Sequence, residues 1–162
     1  MSADLDPIES VLLRCLTRNA RLTLSEVAKK AGVTPGTIHS RLERLKERGI
    51  VLGSRLLIDE TKLGYECSAF IAIRISGDTR PEAQRVLLAE PNVVELHYTL
   101  GKFNMLARVF TKSIHELHEL LLQLQSIAGP ENVEPLLMIE NTIDRAVEIS
   151  PRPTKDGNSE AA

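Results

Sequence analysis

Apolar residues in the first fifty positions recur with the period of a helix, in three short blocks. Ile8, Val11, Leu12, Cys15 and Leu16 form one broad stripe, Val27, Ala28 and Ala31 a second, and Ile38, Leu42 and Leu45 a third. Each block has its own start signal. Asp6-Pro7-Ile8-Glu9 offers an acidic cap, a proline at the first helical position and a glutamate at the third. Thr23-Leu24-Ser25-Glu26 reads as a capping box, and Thr34-Pro35 opens the third helix with a hydroxyl followed by proline. Gly32 and Gly49 stop the second and third helices. Three short helices are the least that bury a common core.

After Gly49 the period changes. Residues 50–64 read as a linker with a strand in it, from the aliphatic runs Ile50 to Leu52 and Arg55 to Ile58. Ala69, Ile71, Ile73 and Ile75 then alternate with Phe70, Ala72 and Arg74, which predicts a strand, and Pro81 to Glu90 predicts a helix with Ala83, Val86 and Leu87 inward. Strands over Val93 to Leu100 and Asn104 to Thr111 flank Gly101-Lys102-Phe103. A capping box at Ser113-Ile114-His115-Glu116 opens a long amphipathic helix to Gly129-Pro130, and a strand over Val133 to Glu140 follows. The order strand, helix, strand, strand, helix, strand is that of a ferredoxin-like βαββαβ domain. The expected fold class is α+β. An N-terminal helix-turn-helix, winged-helix-like domain spans residues 1–49, the linker 50–64, the βαββαβ domain 65–145 and a flexible tail 146–162. Such a sheet has helices on one face only, so Leu106, Leu136 and Met138 are candidates for an apolar face that a second copy of the chain would cover.

The third helix carries the chemistry. Opposite its apolar stripe lie Gly36, Thr37, Ser40 and Arg44, with Arg41 and Lys46 on the flanks and Thr34 at the cap. A short helix, a turn containing glycine and a second helix with a polar outer face make the helix-turn-helix pattern, whose second helix enters the DNA major groove. Small residues in its first turn allow close approach, while Ser and Arg can address base edges or phosphates. Charge supports this. Between Arg14 and Arg55 there are ten Lys or Arg against three Glu, a net +7, within a chain whose total is -2. The pI near 6.1 argues against generic coating of nucleic acid.

With 43% hydrophobic and 26% charged residues, the composition is that of an ordinary soluble protein. No apolar run approaches the ~20 residues of a membrane helix and the N-terminus lacks a signal-peptide layout, which predicts the cytoplasm and no membrane partner. Cys15 and Cys67 form no paired motif and read as small core residues. His115 and His118 share a helix without a third ligand in sequence reach, so no metal or cofactor is expected. His97, on one strand face with Glu95 and Thr99, fits a partner or a ligand contact.

Several local features occur jointly: Leu5-Asp6, Leu24-Ser25-Glu26-Val27-Ala28 with Gly32-Val33-Thr34, Arg41-Leu42-Glu43-Arg44-Leu45, Gly49-Ile50-Val51, and Gly101-Lys102-Phe103-Asn104. Together they resemble the Lrp/AsnC, or feast/famine, transcription regulators over about residues 4–145. The resemblance implies double-stranded DNA as partner and a homodimer joined through the sheet domains, assembling further to a tetramer or octamer. It also implies a small amino-acid effector bound where protomers meet, beside Thr99, Gly101, Phe103 and Asn104. At the last of these the family has an acid, where Asn104 can offer only a neutral hydrogen bond. A rival reading comes from siroheme decarboxylases, enzymes that resemble the same two-domain family.

Overall fold

A computed structural model of the chain describes residues 5–129 and 132–151. They divide into two compact units, one of residues 5–56 with 144–151 and one of residues 57–143.

The first unit holds three helices, α1 (Pro7–Arg18), α2 (Leu24–Ala31) and α3 (Pro35–Glu47). All three caps read from the sequence are present. Asp6 and Glu9 form a full capping box on α1, Thr23 and Glu26 another on α2, and the Thr34 hydroxyl accepts from the Thr37 amide. The Glu26 carboxyl is held below its usual range chiefly by the Thr23 amide. Gly32 turns the chain out of α2 at φ 69°, where a Cβ would be strained. The three apolar stripes meet in one core built on Leu12, Val27, Ala28, Ile38 and Leu45.

Beyond α3, the amides of Ile50 and Val51 bond to the Leu45 carbonyl, and the strand expected within residues 50–64 is absent. A strand needs a neighbour for its backbone groups, and none lies beside this segment among the described residues. Leu52 and Leu57 are correspondingly exposed. The unit is therefore helix-turn-helix without a described wing hairpin, and Thr61–Leu63 form a single 3-10 turn. The tail expected over 146–162 lies outside the described residues after position 151. Within them residues 146–151 form no helix or strand, and Ile149 alone is half-buried, packed on the helical core.

The second unit contains β1 (Cys67–Ile73), α4 (Arg80–Ala89), β2 (Val93–Tyr98), β3 (Met105–Thr111), α5 (Ile114–Ala128) and β4 (Val133–Leu137). The strands form one antiparallel sheet in the order β2-β3-β1-β4, the ferredoxin-like topology. Pro135 is tolerated because β4 is an edge strand. Ala69, Ile71, Ile73, Met105, Ala107 and Val109 face α4 and α5, meeting Leu87, Leu117 and Leu124 in a second core. Truncating a fully buried aliphatic residue such as Ile71 to alanine costs about 2–5 kcal/mol. The box expected at Ser113 is half formed: its hydroxyl accepts from the Glu116 amide at 3.2 Å, but the Glu116 carboxylate takes the amide of Lys112 instead, at 2.9 Å. One residue earlier in the chain, that amide lies within reach of the same side chain.

Candidate nucleic-acid interface and effector loop

Helix α3 is held from behind by Ile38 and Leu45, both fully buried, and this sets which side chains look outward. Ser40 and Arg44 are exposed and make no side-chain hydrogen bond or ion pair among the described residues. The Thr37 hydroxyl lies 2.9 Å from that of Thr34, so the two share one proton contact at the start of the helix. At Gly36 an added Cβ would meet only the Thr34 hydroxyl, at 3.9 Å, leaving the first turn low in profile.

The flanking cations differ. Lys46 pairs with Glu43 at 2.8 Å in an exposed bridge, which also lowers the Glu43 carboxyl below its usual range. Such a bridge is screened by solvent, adds little to stability and can open toward another anion. Arg41 is tied inward, its Nη1 2.8 Å from the Asp6 carboxylate. Arg48, which follows the helix, donates from Nη1 to both oxygens of Glu9 at 3.1 and 3.2 Å. The Glu9 carboxylate is almost wholly buried and also accepts from the Asp6 amide. The cap of α1 is thereby fastened to α3 at two points, a role that sequence spacing did not disclose. The signal available was a carboxylate one turn into an apolar stripe, next to Ile8.

In the second unit the four residues expected at an effector site do share one loop, between β2 and β3. Its closure uses their polar atoms. The Thr99 hydroxyl donates to the Phe103 carbonyl at 2.8 Å, and the Thr99 amide donates to the Asn104 carbonyl at 3.1 Å. Asn104 accepts from the Ile75 amide through Oδ1 at 3.0 Å and donates through Nδ2 to the Ile75 carbonyl at 2.8 Å. The side chain thus acts as one more rung after β1. An amide matches both Ile75 groups, whereas a carboxylate matches only the N–H. Gly101 sits at φ 132°, where a side chain is strained, and Lys102 lies over the Phe103 ring at 4.5 Å while reaching Glu134 at 3.3 Å.

The sheet face away from the helices carries Phe70, Leu106 and Leu136, with Met138 beside Ser68 at its end. Across it runs a charged ladder that sequence reading missed. Arg108 donates to Glu95 at 3.1 Å, and His97 lies 3.2 Å from the other Glu95 oxygen. The bond to His97, then that to Arg108, holds the Glu95 carboxyl below its usual range. Register was the missing information, since only the pairing of Glu95 with Arg108 joins the two strands' charges. His115 and His118 are exposed, and no group of side chains suited to a metal occurs among the described residues.

Comparison with known proteins assigns both units. Residues 5–51 match the family of winged helix-turn-helix DNA-binding domains, and residues 68–147 match the Lrp/AsnC ligand-binding domain. The regulatory protein AsnC of Haemophilus influenzae is 37% identical over 146 residues, 89% of this chain and 97% of that protein. The solved structure of E. coli AsnC superposes with a TM-score of 0.79 at 34% identity, covering 89% of this chain and 98% of that one. A transcriptional regulator from Neisseria meningitidis, solved as an L-Met complex, shares the fold with a TM-score of 0.79 at 22% identity, over 87% of this chain and 94% of that one. These relatives are regulators, so the enzyme reading falls. The chain belongs to the Lrp/AsnC family of DNA-binding transcription regulators.

Proposed function

We propose that α3 reads base edges through Ser40 and Arg44, with Thr37 beside them, while Thr34 and Gly36 bring the first turn close to the duplex and Lys46 meets phosphate. The observation that carries this is the unengaged state of Ser40 and Arg44 on a helix whose other cations already have carboxylate partners. Arg41 contributes by holding α3 through Asp6 and adds positive field near the backbone. In a selection of genomic fragments, Arg44→Ala costs about 1–3 kcal/mol of target affinity and relaxes preference at one position. Unchanged fragment preference in that variant overturns the assignment.

The functional unit is a homodimer, which presents two copies of α3 to half-sites about one helical turn apart or a multiple of it. Support comes from the apolar sheet face at Phe70, Leu106 and Leu136 and from the unpaired run Leu56 to Ile58, each of which a second copy would cover. Sedimentation as a monomer at micromolar concentration contradicts it.

A small amino acid acts as effector at the 99–104 loop. With Thr99 and Asn104 engaged, the loop's backbone amides around Gly101 face the carboxylate and Phe103 walls the site, as suits an L-amino acid of the kind that the Neisseria meningitidis regulator is solved with. Calorimetry against the proteinogenic amino acids tests this. Gly101→Val, strained at that φ, abolishes binding if the loop is the site; equal binding by the variant excludes it.

A further inference from the structure

Between α1 and α2 the helical unit bears an open cleft of about 520 Å³. Its half-buried lining is Val11, Cys15 and Leu22, and its exposed rim is Arg14, Arg18 and Lys30. No acidic residue lines it, and none of the three cations has a side-chain hydrogen bond or ion pair among the described residues, although Lys30 is near enough to Glu26, one turn before it, to help lower that carboxyl. Arg18 and Lys30 stand in the last turns of their helices, where the dipole favours a positive charge. That accounts for each singly but not for Arg14. Mid-helix and four residues before Arg18, it makes a like-charge pair that is destabilising in isolation. Elsewhere in this unit Arg41, Lys46 and Arg48 all have carboxylate partners. What sets Arg14, Arg18 and Lys30 apart from other unbridged cations of the unit, such as Arg44, is that they rim one cleft without an acidic lining residue, an arrangement suited to an anion from outside.

The shape favours a polymer over a metabolite, because small-molecule sites enclose most of their ligand and this cleft is partly open to solvent. No residue of α3 contributes to it. We propose that Arg14, Arg18 and Lys30 form a second phosphate-binding surface for duplex DNA, separate from the base-reading helix. This rests on the family's DNA-binding role and adds to it a sequence-independent interaction, supplied by the flanks of the bound duplex or by a second segment.

The experiment uses a genomic fragment recovered with the wild-type protein and a scrambled duplex of equal length. Affinities of the wild type and of Arg14→Gln/Arg18→Gln/Lys30→Gln are measured across a salt series. The triple variant lowers the salt slope on both duplexes by about 0.9 for each phosphate no longer neutralised, thus by about two to three units, and leaves the ratio of the two affinities intact. An unchanged slope overturns the proposal. Failure of the wild type to prefer the genomic fragment instead strikes at the α3 reading, so the two failures are distinguishable. A measurement without charge changes runs alongside, namely iodoacetamide labelling of Cys15 in the otherwise intact Cys67→Ser chain. The genomic fragment slows labelling severalfold, whereas sodium phosphate at the same ionic strength does not. Labelling unaffected by the duplex, or slowed as much by phosphate alone, overturns the proposal. If the genomic fragment protects only when extended beyond its bound core, the flank is the source; if added scrambled duplex protects the complex with the core, the second segment is.

Discussion

The polar residues of the two units are put to opposite uses, although the sequence presents them alike. In the helical unit, inward-tied cations (Arg41, Arg48) stand within one helix's length of one that has no side-chain partner among the described residues (Arg44), so a single amphipathic pattern hides both a clamp and a cation left available. In the sheet unit, Thr99 and Asn104 occupy the loop the family pattern marks, yet both complete the chain's own backbone bonding. Residue type and spacing locate a site. Whether its atoms remain available depends on what the fold brings against them.

The largest test of this contrast is Glu9→Ala. It removes the buried acceptor that joins α1 to Arg48 and that also bonds the Asp6 amide. Losing a charge-assisted bond at a partly buried site together with a capping bond costs about 2–3 kcal/mol, since the Arg48 side chain is 30% exposed and can rehydrate. Urea denaturation measures it. A loss below ~1 kcal/mol would mean that the clamp is ornamental and the helices stand on their apolar core alone.

Asn104→Asp comes next. The carboxylate keeps the bond from the Ile75 amide but cannot donate to the Ile75 carbonyl, and an unmet buried acceptor costs about 1–3 kcal/mol. Thermal unfolding reads the loss, and amino-acid calorimetry on the same variant reads the other side. If restoring the family's acid strengthens binding of an amino acid while weakening the fold, Asn104 is a splint standing where a ligand group could be. A variant as stable as the wild type shows that the amide is dispensable.

Arg41→Ala and Arg44→Ala then form a matched pair on one helix. The first breaks the partly exposed bridge to Asp6 and lowers stability by about 0.5–1 kcal/mol. The second has no side-chain bond to lose among the described residues, so denaturation leaves it within about 0.5 kcal/mol of the wild type. Denaturation curves of the two variants that coincide would erase the distinction between the clamping cation and the available one.

Much of this was legible in the chain. Caps at Asp6, Thr23 and Thr34 and the alternation from Ala69 to Ile75 depend on near neighbours, and the helices and strands formed where those signals lie. What escaped depends on distant partners. Glu9 and Arg48 are 39 residues apart, and Asn104 meets Ile75 across 29. The run at Leu56 to Ile58 has the composition of a strand, but pairing needs a neighbour that these residues do not meet among the described ones.

The smallest expected effect concerns the ladder on the open sheet face. Glu95, bonded first by His97 and then by Arg108, has its carboxyl held below the ordinary value of about 4.3. A group whose folded value is depressed contributes stability that is present above the unfolded value and lost as pH falls through the folded one. The wild type should therefore exceed Glu95→Gln by less than about 1 kcal/mol at pH 7, because the side chain is partly exposed, and the gap should close as pH falls to about 3. Glutamine can still accept from Arg108, which keeps the variant folded. In a His97→Ala background the gap should narrow already at pH 7, since the bond from His97 is the larger cause. A gap that persists unchanged from pH 7 to pH 3 would show that the ladder holds by packing, through Arg108 against the Phe110 ring at 5.0 Å, and not by its charges.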